Sequence, residues 1–370
     1  MRVRHPSVRT AASLAALLLV SRPSWAGPET IGPAPAGIYG GEISASCAWP
    51  SVVSLTSSQG ACTGTLIHPE LVVYAAHCGD SFVSVEFGDT RSAVFGRSVW
   101  TQDCRIHHVV DNGNLGSGQD IAFCRLAEPV TDVAIVPPLM GCETSVIYPG
   151  AEVVAVGFGE AEDGTFDVKR EVTINVNQVG VEVSAGGLGQ GTCQGDSGGP
   201  LFIKLKTELN GDDTWRVFGV TSFGPPGCEG GANFGLMYDN MAWLESESGL
   251  DLTPCTDAAG NWDPDSRCTY FPLEPGLGGG SWEAACEVGP LAPELAQTCG
   301  EPLSPDDPEP PDPTAEGDGD SGDDAEITSE TDEGEGASQN EGGGCQMGPA
   351  RSGWLLLGVP LLWRRRRRMR

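Results

Sequence analysis

The chain has 370 residues, with 51 acidic against 21 basic side chains, 13 cysteines and 52 glycines. A formal charge of −30 repels nucleic-acid phosphates and anionic lipid, which argues against a nucleic-acid-binding role. The acidity is uneven: residues Glu301 to Glu341 carry 16 Asp and Glu and no Lys or Arg, about half of the net charge, which leaves a moderately acidic globular part.

In chain order, residues 1–26, "MRVRHPSVRTAASLAALLLVSRPSWA", have a basic start, an apolar run from Ala11 to Val20, and small residues at Ser24 and Ala26. This is the pattern of a secretory signal peptide, as against a buried first helix. Export gives the cysteines an oxidising compartment; twelve of them precede residue 300 and can all pair, leaving Cys345 apart.

From Ile38 to about Ser222 the chain shows short, often alternating apolar runs: "SVVSLT", "GTLIHPELVVYAAH", "SFVSVEFG", "AEVVAVGFG", "REVTINVNQV" and "RVFGVTSFG". Clusters of Gly, Asp, Asn, Ser and Pro separate them. Many short β-branched runs at near-regular spacing predict an all-β sandwich or barrel. Only "DNMAWLESES", Asp239 to Ser248, has helical spacing, with Asn240 as its candidate cap, so a domain end is expected near Leu250.

Residues 251–300 carry Cys255, Cys268, Cys286 and Cys299, separated by 12, 17 and 12 residues. Zinc sites want closely spaced ligand pairs, so a small extension closed by two disulfides is the stronger reading, either packed on the domain or serving as a binding surface. Residues 301–344 are almost entirely Pro, Asp, Glu, Gly, Ser and Thr, a composition that cannot offset chain entropy by burial; a disordered, self-repelling linker is expected. In the tail 345–370 the apolar run Gly353 to Trp363 has 11 residues, too few at about 1.5 Å each to cross a hydrocarbon core about 30 Å thick. Its arginine block would be held on the cytoplasmic side.

The chemistry rests on "GTCQGDSGGPLF", Gly191 to Phe202, where Ser197 is either a nucleophile or part of a glycine-rich turn. A serine hydroxyl is a weak nucleophile and needs a base, usually histidine, which a carboxylate orients. Outside the leader the histidines are His68, His77, His107 and His108, and His77 follows a β-like run in "VVYAAHC". The carboxylate candidate is Asp120 in "GQDIAFCRL", a single acid opening an apolar strand, which needs a partner such as an imidazole N–H. Asp111 in "VVDNGNLG" reads as a turn former.

Together, "IYGG" at Ile38 to Gly41, "AAHC" at Ala75 to Cys78, "DIAFCRL" at Asp120 to Leu126 and "GDSGGP" at Gly195 to Pro200 resemble the chymotrypsin and trypsin family of serine endopeptidases. The resemblance covers about residues 38–250 and implies two six-stranded β-barrels, a C-terminal helix, and an active site between the barrels. It implies a Ser197 nucleophile, a His77 base, an orienting Asp120, and an oxyanion hole made by the N–H groups of Gly195 and Ser197. The family's Asp196 pairs with an α-ammonium freed by cleavage before Ile38, so residues 27–37 become a propeptide and an unidentified activating protease, or the enzyme itself, a partner. Gly37 departs from the usual basic residue at that cut. By position, Gly191 falls at the base of the primary pocket, Gly224 and Gly235 on its walls, with Ser222 and Phe223 along the substrate strand. A glycine at the base argues for apolar or aromatic residues before the scissile bond, while Glu229 keeps a basic preference open.

The family implies disulfides Cys62 to Cys78 and Cys193 to Cys228; Cys104 with Cys124, and Cys47 with Cys142, follow by elimination. No metal cluster or cofactor is expected, and the partners are a polypeptide substrate, the activator and sorting machinery, for a monomer. The tail from Cys345 to Arg370 resembles the MYXO-CTERM sorting tail of myxobacterial surface proteins, which implies secretion or display at the cell surface; a weak tail anchor is the plainer reading. A surface binding or adhesion protein built on a protease scaffold is the competing reading of the whole.

Overall fold

The computed structural model describes residues 38–57, 60–91, 96–107, 115–279, 282 and 286–300. The leader, the propeptide, the acidic linker, the tail, His108 and Asp111 lie outside the described residues.

The strands are β1 (Glu42–Ile43), β2 (Val52–Ser57), β3 (Gly60–His68), β4 (Leu71–Tyr74), β5 (Ser84–Phe87), β6 (Arg97–Ile106), β7 (Ala122–Leu126), β8 (Glu152–Gly157), β9 (Arg170–Val179), β10 (Glu182–Ala185), β11 (Pro200–Lys204), β12 (Trp215–Phe223) and β13 (Ala232–Leu236). Strands β2 to β7 close in the order β2-β3-β4-β7-β6-β5, with β5 paired back onto β2. Alternation fills this barrel: Val85 and Phe87 of β5 are buried, while Ser84 and Glu86 between them are half-buried. Strands β8 to β13 form the second barrel, closed by the pairing of β8 with β9, and β1 adds to β9 outside the ring. Closure leaves neither barrel an open edge for another chain to pair with.

The two barrels meet through a shared apolar layer that includes Trp49, Val73, Ile121, Phe123, Val156, Phe158, Phe202 and Val220. Trp49 stacks on Phe202 at 4.6 Å between ring centroids. Truncating a side chain such as Phe123 or Phe202 to alanine would cost about 3–5 kcal/mol. This layer fixes the relative position of the loops that emerge from each barrel.

Helix α1 (Met241–Ser248) buries Met241, Leu244 and Ser248. Asn240 does not cap it; the amide turns inward and donates to the carbonyls of Gly118 (2.9 Å) and Leu236 (2.8 Å). The C-terminus is finished by Gly249 in the left-handed region, where its N–H reaches Glu245 O at 2.8 Å. Arg125 and Arg105 of the first barrel donate to the carbonyls of Ser248 (3.2 Å) and Glu247 (3.0 Å), so orphan carbonyls at the helix end are met by cations.

The extension departs from the two-disulfide expectation. Within it only Cys255 bonds Cys268; Cys286 bonds Cys47 and Cys142 bonds Cys299, so the proposed pair of Cys47 with Cys142 does not form. The physical reason is placement: residues 271–279 run back across the barrels. Along this path Trp49 N–H donates to Pro275 O (2.7 Å), Trp215 Nε1 to Leu273 O (3.1 Å) and Ala134 N–H to Gly279 O (2.6 Å). Two aromatic rings of the strap sit over buried cations. Phe271 lies 5.0 Å from the guanidinium of Arg216, which is paired bidentately with buried Glu143, and Trp282 lies 4.7 Å from Lys169 Nζ. Burial pushes the Glu143 carboxyl up against the pull of Arg216, and pushes Lys169 down to about 7. The extension thus lays aromatic rings over the buried charges of Arg216 and Lys169.

Candidate active site

Antiparallel pairing of β4 with β7, Tyr74 opposite Ala122, brings the turn after β4 beside the residues before β7. His77 lies in that tight turn, Ala76–Cys78, and Asp120 enters just ahead of β7 with no exposure. Asp120 accepts three hydrogen bonds: from His77 N–H (2.9 Å), from His77 Nδ1 (2.7 Å) and from Ser222 Oγ (2.5 Å). Burial alone would raise its pKa; the bonds from the His77 ring and Ser222, with the His77 backbone N–H, outweigh burial and hold the carboxyl below the ordinary range. An ionised carboxylate can only accept, so the ring proton sits on Nδ1 and the Nε2 lone pair is left for other work. The remaining described histidines stand elsewhere: His68 Nδ1 accepts from Glu70 N–H (3.1 Å), and the His107 ring packs 4.8 Å from that of Trp243.

Ser197 sits on the turn that leads into β11. The turn is tied to the first barrel, where Thr63 N–H donates to Ser197 O at 2.9 Å, and to β12, where Gly198 N–H donates to Thr221 O at 2.8 Å. Gly198 has φ +84, and a Cβ there would fall 2.4 Å from Thr63 O and 2.7 Å from Ala75 N. The barrels can approach only because this residue is glycine. Ser197, His77 and Gly195 line one cavity of about 400 Å³, together with Arg91, Gln194 and Phe166. The disulfides Cys62–Cys78 and Cys193–Cys228 brace the histidine and serine turns, and Cys104–Cys124 joins β6 to β7.

Beneath the serine turn, Asp196 is fully buried and accepts from Gly159 N–H (2.7 Å) and Cys193 N–H (2.9 Å). Burial pushes its carboxyl up to about 6, against those two bonds and the nearby charges of Arg91 and Arg170. Its cradle is made by glycines that the sequence pattern did not single out. A Cβ on Gly157 would fall 2.1 Å from an Asp196 carboxylate oxygen, and one on Gly159 would fall 2.4 Å from its Cγ. Ile38 is fully buried in the second barrel's core beside residues such as Leu139 and Val153, and Tyr39 bridges to Gly191. Its φ of +44 is a genuine outlier for a β-branched residue.

Gly191 and Gly224 converge on one neighbour. A Cβ at Gly191 would lie 3.0 Å from Gly231 Cα, and one at Gly224 2.9 Å from Gly231 O and 3.5 Å from Ala232 Cβ. A Cβ at Gly235 would instead face Ile121 Cγ1 (3.6 Å) and Gly118 O (3.7 Å). The register explains the difference, since Phe223 pairs with Asn233 while Gly235 pairs with Val220, deeper along the sheet. Gly231 is the residue that faces both Gly191 and Gly224, with Ala232 beside it. Glu229 accepts from the exposed Tyr39 hydroxyl at 3.0 Å.

Two closed six-stranded antiparallel barrels, with a buried Asp–His pair on one and a serine turn of the Gly-Asp-Ser-Gly-Gly form on the other, define the architecture of a chymotrypsin-like serine protease. The trypsin family model matches residues 38–241, more than half of the chain, which therefore belongs to the trypsin family of serine proteases. Its relatives include brachyurin of Leptuca pugilator, 30% identical over 58% of this chain and 99% of that protein. Mouse tryptase is 30% identical over 57% of this chain and 89% of its own length. Mouse vitamin K-dependent protein C is 28% identical over 55% of this chain, with only 50% of that protein covered.

Proposed function

We propose that this chain is an exported serine endopeptidase that hydrolyses polypeptides through an acyl-enzyme. Ser197 Oγ attacks the scissile carbonyl carbon while His77 Nε2 takes its proton. The tetrahedral oxyanion is received by the N–H groups of Gly195 and Ser197. On collapse the C–N bond breaks, His77 returns the proton to the leaving amine, and Ser197 is left acylated. Water then attacks the ester with His77 again as base, releasing the new carboxyl terminus and restoring Ser197. Asp120 keeps the imidazole in the required tautomer and stabilises its charged form. The observation that carries this reading is the buried Asp120 carboxylate, with donors from His77 Nδ1, His77 N–H and Ser222 converging on it.

In the same proposal residues 1–26 direct export, 27–37 are a propeptide, 38–250 carry catalysis, 251–300 strap the barrels, 301–344 form a spacer, and 345–370 direct surface sorting. Cleavage of the Gly37–Ile38 bond supports activation physically. It abolishes the strained left-handed torsion at Ile38, of a kind worth about 1–3 kcal/mol, and creates an ammonium for buried Asp196. A primary pocket lined by Gly191, Gly224, Gly231 and Ala232 would favour apolar or aromatic residues before the cut, since none of these four carries a charge and the carboxylate of Glu229 is engaged by the Tyr39 hydroxyl.

The test is digestion of a mixed peptide library by the secreted protein, with Ser197→Ala as control and mass spectrometry of both the products and the protein's own N-terminus. Serine-dependent cleavage after apolar residues, with Ile38 leading, is the expected result. No cleavage despite a free Ile38 would move the reading to a binding protein on a protease scaffold.

A further inference from the structure

The connection between β5 and β6 crosses to the second barrel. Lys169 N–H donates to Asp89 O at 2.8 Å, Arg91 N–H to Asp167 O at 2.9 Å, and Thr90 bridges to Val168, so residues 89–91 run as a short antiparallel partner to 167–169. This pairing sets Arg91 at the serine turn. Its guanidinium Nη2 lies 3.2 Å from Gly195 O, and the side chain is only 11% exposed, with Asp167 an outer partner at 3.6 Å from Nε. A Cβ on Gly195 would fall 2.4 Å from that Nη2, so the glycine admits the guanidinium as well as taking φ +93.

We infer that Arg91 is a positioning residue for the oxyanion hole, holding the Gly195–Asp196 peptide that links the two donors, Gly195 N–H and Ser197 N–H, and so fixing their aim relative to one another at the substrate oxyanion. The physical case starts from glycine's freedom. With φ in a region open to few other residues, Gly195 joins two peptides that can each rotate. The first, which carries the Gly195 N–H, is held by Glu160 N–H on Gln194 O at 2.8 Å; the second, Gly195–Asp196, turns its N–H to Cys193 O at 3.1 Å and needs an anchor for its carbonyl. Two donors reach it: Thr63 Oγ1 at 3.0 Å and Arg91. Thr63 Oγ1 also accepts from Phe158 N–H at 3.2 Å, which directs its one proton toward Gly195 O. The guanidinium adds a charge-assisted bond, about twice as strong as a neutral one. It also brings a fixed positive charge near Asp196, directly below the hole, where Arg170 is the other nearby cation. Since a misaligned donor loses most of its value to the transition state and little to the ground state, the consequence is for turnover.

This inference rests on the endopeptidase reading, and its test separates the two. Full-length secreted protein carrying Arg91→Gln or Arg91→Lys is compared with the unsubstituted chain on a peptide amide substrate, and against a peptide aldehyde, whose hemiacetal places an oxyanion in the hole. Arg91→Gln should lower kcat about 10- to 100-fold, less than outright loss of a hole donor, with KM within about threefold and aldehyde inhibition weakened in parallel. Arg91→Lys keeps the charge and a donor and should recover most of the loss. Unchanged kcat in Arg91→Gln would overturn the inference. So would a raised KM with kcat retained, which would assign the guanidinium to substrate binding on the leaving-group side. Equal loss in both variants alongside a lowered melting temperature would reduce Arg91 to a structural role and also overturn it. An inactive unsubstituted chain with Ile38 leading would instead sink the endopeptidase reading itself.

Discussion

Replacing Cys47 and Cys286 together by serine removes the bond that joins the strap to the first barrel's entry segment while leaving His77, Asp120 and Ser197 unsubstituted. The two cysteines are 239 residues apart, but the unfolded chain would not gain that whole loop. With the other bridges intact, the path from 47 to 286 runs through Cys62–Cys78, Cys104–Cys124 and Cys142–Cys299, which leaves about 70 residues of free chain. Loop-closure entropy for that length comes to about 4 kcal/mol, about 1 kcal/mol less than the full separation would suggest. For a domain of this size the loss should lower Tm by about 8 °C, read by calorimetry on the double variant. At 25 °C its kcat/KM should stay within about twofold, because neither cysteine lines the cavity that Ser197 and His77 share. A Tm change under about 2 °C would refute the strap as a stabilising clasp. Lost activity at 25 °C with Tm unchanged would refute the separation of clasp from site.

Three further outcomes follow from the same geometry. Asp196 in the uncut chain has its folded-state pKa raised to about 6 by burial, so its proton is retained in the folded chain after the unfolded chain has released it. The stability of the uncut chain should therefore fall as pH rises between about 4 and 6, by about 3 kcal/mol, and Asp196→Asn should flatten that slope in urea titrations. Gly159→Ala places a Cβ against the Asp196 carboxylate and displaces its N–H bond; we expect a loss of at least about 2 kcal/mol in denaturant melts together with reduced turnover. Asp120→Asn puts an amide N–H₂ where the structure needs an acceptor for His77 Nδ1 and Ser222. Single-turnover kinetics should show about a 10⁴-fold loss in kcat with KM nearly unchanged, whereas a loss under tenfold would remove Asp120 from the mechanism.

The parts legible in the sequence are those whose physics is local. Alternating β-branched runs announce half-buried strands, and a single acid at the head of the apolar run "DIAFCRL" announces a paired carboxylate. Asp120 indeed meets His77 and Ser222 in the structure. What stayed hidden depends on register and on distant chain. Four cysteines within about 45 residues look like local pairing, but two of them bond Cys47 and Cys142, because the strap's direction is set by tertiary packing. Counting from the serine motif sets Gly235 beside Gly224, but the pairing of β12 with β13 turns it toward Ile121 and Gly118 and sets Gly231 and Ala232 against Gly224. Gly157 and Gly159 close the apolar run "AEVVAVGFG" with no local sign that they are the space that Asp196 fills. Arg91 carries no sequence signal at all, since one arginine in a polar connection looks like any solvated charge.

The most direct measurement is stoichiometric labelling by an organophosphorus probe of the secreted protein with Ile38 as its N-terminus, read by mass spectrometry of its peptides. The expected result is one adduct per chain, carried by Ser197 and lost in His77→Ala. Absence of an adduct, or equal labelling of Ser197 when His77 is gone, would contradict an activated serine and with it the endopeptidase reading.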